Sequence, residues 1–124
     1  MTCLLQAGTL FDVVGNAEGR SAGVGRKGYT GSELLARCAD IPGIAMEKRD
    51  AEVADLVIQI VDMDRPQFLI TQLGDTDDVF HKFGPSSPEV VPTLRETDGH
   101  LKRLAGYLSG AGYRVIVLAD HGQA

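Results

Sequence analysis

The sequence predicts an α/β fold, a three-layer α/β/α arrangement around a mainly parallel sheet. Two observations predict it. Segments with a helical period alternate with short apolar strand-like runs, which is the pattern of a parallel sheet covered on both faces. The length, 124 residues, suits a single domain with one core over residues 1–124.

The elements follow in order. Thr9 is placed to cap a short helix through Leu10, Val13 and Val14, which Gly15 and Gly19 end. Residues 20–25 form a weak strand. Thr30 or Ser32 then caps a helix over Glu33–Cys38, and a short extended piece spans Ile41–Met46. Asp50 reads as the N-cap of a helix whose stripe is Val53, Leu56, Val57, Ile60 and Val61, a clear 3.6-residue period. Arg65-Pro66 stops it. Gln67–Leu73 is a compact apolar strand, and a polar loop follows from Gly74 to Pro88. A long helix over Glu89–Leu108 carries Val90, Leu94, Leu101, Leu104 and Leu108 on one face, and Gly110 and Gly112 close it. Tyr113–Leu118 is the strongest strand in the chain.

Composition excludes several classes. An apolar fraction of 44% and a charged fraction of 23% are those of a globular protein rather than a disordered or collagenous one. No apolar run approaches the roughly eighteen residues of a membrane span, so no membrane partner is expected. The net charge of −5 argues against nucleic acid, whose phosphates attract basic surfaces. It does not argue against a phosphate ester bound through cations. The first residues, Met1–Gln6, put no basic residue before their short apolar stretch and do not read as a signal peptide, so a cytoplasmic location is the expectation. Cys3 and Cys38 have no CxxC partner or nearby His and read as reduced.

In parallel sheets, ligands gather beyond the carboxyl ends of the strands. That rule selects the segments after Leu73 and after Leu118. The first holds Asp75, Asp77, Asp78 and His81; the second holds Asp120 and His121. Asp and Gly are also ordinary loop residues, and a lone Asp-His pair after a strand is commonly a turn. Two such clusters carry more weight. Carboxylate oxygen with imidazole nitrogen suits Zn, Mn or Fe better than Ca or Mg. Four such ligands would begin a pair of metal sites about 4 Å apart, a geometry that clamps the attacking and leaving oxygens of phosphoryl transfer.

Residues 77–85, DDVFHKFGP, resemble the D-x-x-G-H-x-x-G-P loop of type I phosphodiesterases and nucleotide pyrophosphatases. Residues 115–122, VIVLADHG, resemble the strand-then-D-H-G motif of the alkaline phosphatase superfamily, which also contains phosphomutases. The resemblance implies an alkaline-phosphatase-like domain, with Asp77 and His81 as ligands of one divalent metal and Asp120 and His121 as ligands of the other, zinc or manganese. Asp75 and Asp78 are alternatives; the family spacing to His81 favours Asp77. Phe80 departs from the family glycine, and Gln123 stands where methionine or asparagine is usual.

The implied activity is metal-dependent hydrolysis of a small phosphate ester. A phosphomutase of the same superfamily and a non-catalytic α/β interaction domain are the rival readings. The family nucleophile, a Ser or Thr beside a further metal-binding Asp, and a last metal-binding His have no counterparts here. Thr2 and Thr9 lie nearest the nucleophile region, but neither sits in a convincing motif. The expectation is therefore a partial, central fragment that is inactive alone.

Three further signals are discounted. Residues 23–28, GVGRKG, satisfy G-x-G-x-x-G, but no hydrophobic strand precedes them, and they read as a flexible loop with Arg26 and Lys27 as solvated charges. Asp98 lies on or near the apolar stripe of the long helix, where a buried carboxylate needs a partner. His100 lies off that stripe and reads as exposed.

Overall fold

The structure, a computed structural model, describes residues 7–122. It divides into two compact units, residues 1–73 and 74–124.

The first unit is a three-stranded parallel sheet of order β2-β1-β3 with helices α1 to α3. Helix α1 spans Leu10–Asn16 and begins as anticipated. Thr9 accepts from the Asp12 amide, and Asp12 accepts the Thr9 amide at 2.8 Å, which completes a capping box. The central strand β1 spans Ser21–Arg26 and is buried along its whole length. Its register places Ala22 opposite both Ile41 of β2 (Ile41–Ala45) and Leu69 of β3 (Phe68–Thr71).

Helices α2 (Thr30–Cys38) and α3 (Asp50–Asp64) cover opposite faces of this sheet. The glycines of β1 show why. A Cβ on Gly23 would stand 2.8 Å from the Ala36 Cα, and one on Gly25 would stand 2.5 Å from the Ser32 carbonyl oxygen. The face of β1 toward α2 therefore has no room for side chains. The other face carries Ala22, Val24 and Arg26 toward α3, whose Val53, Ala54, Val57, Ile60 and Val61 are buried. The glycines 23 and 25 are thus strand residues that let a helix approach, rather than parts of a flexible loop.

Arg26 corrects a second expectation. It is buried, with its guanidinium 4.0 Å from the carboxylate of fully buried Asp50. It also donates to the Lys48 carbonyl and lies 4.6 Å over the Tyr29 ring. A side chain on the α3 face of β1 has no route to water, so its charge needs a carboxylate. Asp50 is accordingly the first residue of α3 and not its cap; Arg49 is the N-cap. Helix α2 likewise starts before Ser32, whose hydroxyl donates back to the Tyr29 carbonyl. Arg65 ends α3 in the left-handed region, with φ of 44°.

Cys38 is disulfide-bonded, contrary to the reduced state expected for it. Cys3 and Thr2 lie outside the described residues.

The second unit contains two helices. Residues 75–83, anticipated as loop, form α4 (Asp75–Phe83). Asp75, Asp77 and Asp78 stand in its first turn, and His81 and Lys82 in its last, so the charges complement the helix dipole at both ends. Helix α5 spans Val90–Gly110, with Val90 and Leu104 buried. Its Asp98 is exposed and His100 half-buried, the reverse of the expectation for each.

Residues 113–119 adopt no strand. A strand needs a neighbouring ladder to take up its backbone N–H and C=O groups. The described residues of this unit offer only helices, so the most strand-like run of the sequence stands open, with Ile116 83% and Leu118 78% exposed. No helix among the described residues is long and apolar enough to cross a membrane.

Candidate functional site

All four candidate ligands lie in the second unit. Asp77 and His81 are one helical turn apart on α4, the spacing at which side chains meet on one face. The Asp77 Oδ1 and His81 Nε2 are 3.1 Å apart, and His81 is largely exposed. The helix that replaces the anticipated loop is what forms this pair.

Asp75 and Asp78 project from a different face of α4. With Lys82 they line a shallow open depression of about 240 Å³, completed by Thr93 and Glu96 of α5. Asp77 and His81 do not line it. A hydrogen bond of 3.4 Å between the Thr76 and Thr97 hydroxyls ties the two helices.

Asp120 and His121 are exposed neighbours at the end of the segment without regular secondary structure. The Asp120 Oδ1 accepts the His121 amide at 3.0 Å, and its Oδ2 lies 3.9 Å from the His121 Nε2. The His121 Nδ1 is 2.7 Å from the Gly122 carbonyl oxygen. That carbonyl raises the imidazole pKa above its ordinary value, and the carboxylates of Asp120 and, more distantly, Asp77 add to the effect.

The four side chains form two pairs. No group of three or more potential ligands gathers among the described residues. Each pair offers one carboxylate oxygen and one imidazole nitrogen. At His121 the ring is oriented as metal-binding imidazoles commonly are, with Nδ1–H donating to a carbonyl and Nε2 turned toward the carboxylate. The donor chemistry therefore fits a divalent transition metal.

Sequence reasoning named Arg26 only as a solvated charge and so missed its role at the carboxyl end of β1, where it joins two loops. The signal available was its place at the end of a strand in a parallel sheet.

The first unit is thus a parallel α/β sheet, and the second carries two exposed carboxylate–imidazole pairs. The chain belongs to the type I phosphodiesterase/nucleotide pyrophosphatase family, whose profile matches residues 12–124. A pyrophosphatase/phosphodiesterase of Schizosaccharomyces pombe, itself uncharacterized, is 35% identical over 71 residues. That match covers 54% of this chain and 15% of the yeast protein, so the chain corresponds to a small part of its relative. No solved structure matches.

Proposed function

We propose that this chain is the metal-holding portion of a phosphoric ester hydrolase of the phosphodiesterase/pyrophosphatase type, acting on a small-molecule phosphate ester. The observation that carries the reading is the Asp77–His81 contact of 3.1 Å on α4, joined by a second carboxylate–imidazole pair at Asp120 and His121. In this reading Asp77 and His81 hold one divalent ion, zinc or manganese, and Asp120 and His121 hold the other. When bound, such ions would supply a lowered pKa for an attacking hydroxyl and positive charge beside the leaving oxygen.

The chain's own residues prepare those places. The turn of α4 fixes the Asp77 carboxylate against the His81 ring. The Gly122 carbonyl fixes the tautomer of His121, while the Asp120 carboxylate accepts the backbone amide and keeps its second oxygen beside the ring. Asp77 and Asp120 supply the negative charge that neighbouring cations require. This reading rests on the four candidate ligands and assigns no hydroxyl nucleophile. The matched family profile favours hydrolase over phosphomutase.

Isothermal titration of the metal-free chain with Zn or Mn tests this. Two equivalents are expected, with one lost in His81→Ala and the other in His121→Ala. Uptake that neither substitution changes would remove the assignment.

A further inference from the structure

The sheet of the first unit ends on two unlike edges. The β2 edge carries Pro42, which has no N–H to offer a further strand and so blunts that side. The β3 edge has no such guard. Its four residues, Phe68, Leu69, Ile70 and Thr71, include no proline and no charge, and they ladder with β1 alone. A strand laddered on one side turns backbone N–H and C=O groups outward on the other. None of the four is buried, and Ile70 is 36% exposed, whereas the neighbouring β1 is buried throughout.

The second unit carries a run that such an edge suits. Val115, Ile116, Val117 and Leu118 are exposed and make no backbone hydrogen bond among the described residues. Three of the four are β-branched, which favours a strand wherever a ladder is at hand. The end of α5 fixes where the run leaves the helix. There the Tyr113 amide donates to the Leu108 carbonyl at 2.9 Å, and Gly112 turns the chain with a φ of 92°.

One chain thus holds an open strand edge and a strand-forming run without a ladder, and its own sheet stops at β3. A second copy holds the same two parts. If each run meets the other copy's edge, both needs are met at once, and the two-fold exchange closes on itself. Pairing run against run would leave both β3 edges open, and an isolated two-stranded ribbon is marginally stable at best.

We propose that residues 115–118 of one copy add as a fourth strand to the free edge of β3 in a second copy, and that the exchange is reciprocal. The added strand takes up the outward backbone groups of β3 and has its own taken up in turn. The partner is therefore a second copy of this chain, recognised by main-chain hydrogen bonds and by its apolar run. None of the carboxylate–imidazole pairs takes part, so the dimer stands apart from the metal reading.

Size-exclusion chromatography with light scattering, run on the full chain over a concentration series in EDTA, tests this without divalent ions. A dimer is expected. Ile70→Lys on the β3 edge and Ile116→Lys in the run should each weaken it by about tenfold or more, because an edge lysine opposes strand addition. Met63→Lys, an equally conservative loss of an exposed apolar side chain on α3, should leave it unchanged. The deciding arm mixes Ile70→Lys with Ile116→Lys. In the mixed pair one edge and the run that meets it are both intact, so dimer should return, which a variant that had lost its fold could not bring about. A chain that stays monomeric, as it would if the run joined its own sheet, would overturn the proposal. So would a dimer that survives Ile70→Lys, open-ended polymers in place of a dimer, or a mixture that stays monomeric.

Discussion

Arg26 and Asp50 show how one residue organises the end of a strand. The pair is buried on both sides, and the guanidinium also serves the Lys48 carbonyl and the Tyr29 ring. Removing one partner strands a charge in an apolar interior, which costs about 3–5 kcal/mol. Asp50→Ala is therefore expected to lower unfolding free energy by about that much in urea denaturation. The double substitution Arg26→Met/Asp50→Leu should recover most of the loss, since no charge then remains buried. Equal destabilisation in the single and double variants would show that the pair acts through shape alone. A contrasting case is Glu33, a half-buried acid. Its hydrogen bond from Arg37, with help from the Gly28 amide, holds its carboxyl below the ordinary range. The folded pKa is depressed, so the contribution to stability is present above the unfolded value and lost as pH falls through the folded one. Carboxyl NMR titration should find Glu33 titrating low in the native chain and returning upward in Arg37→Ala. An unchanged titration would mean that the ion pair does not persist in water.

At the scale of elements, packing decides what sequence pattern leaves open. The β1 glycines admit α2, and a methyl at residue 25 would meet the Ser32 carbonyl at 2.5 Å. Overpacking of this kind costs about 1–3 kcal/mol, so Gly25→Ala should shift the denaturation midpoint down. Gly99→Ala, where nothing stands within 4 Å, should not. Helix α3 was legible because its buried residues recur with the helical period. Helix α4 was not, because acids beside a glycine read as loop, although the same acids suit a helix's first turn. Arg26 was misread because alternation with glycine hid that β1 is buried on both faces. The run at 113–118 was misread for the opposite reason. Strand propensity is a property of the residues, but a strand also needs a ladder beside it, and these residues have none in their unit. Of the candidate site, the residues were legible from their position after apolar runs, and the helical contact of Asp77 with His81 was not.

For the molecule as a whole, two features of the second unit set its behaviour in solution. Val115, Ile116, Val117 and Leu118 are exposed on a segment with no regular secondary structure, the kind of apolar run that pairs with another chain. Asp77 and Asp120 each hold a carboxylate beside an imidazole, where a bound cation would take up its charge. The chain alone is therefore expected to be marginally stable and to associate, and Ile116→Lys should raise the monomer fraction in size-exclusion chromatography. Binding to the native state alone stabilises by RT ln(1 + [L]/Kd), about 2.7 kcal/mol when the metal stands at a hundredfold its Kd. Millimolar Zn or Mn should then raise the unfolding temperature by several degrees in the native chain and not in His81→Ala/His121→Ala. In parallel, hydrolysis of p-nitrophenyl phosphate esters by the chain should be no faster than by that double variant, because no nucleophile is assigned within it. Turnover that the two histidines control would place a nucleophile among these residues. A monomer with a high, metal-independent transition would show that the open segment and the paired acids carry no cost, and the metal-holding reading would lose its support.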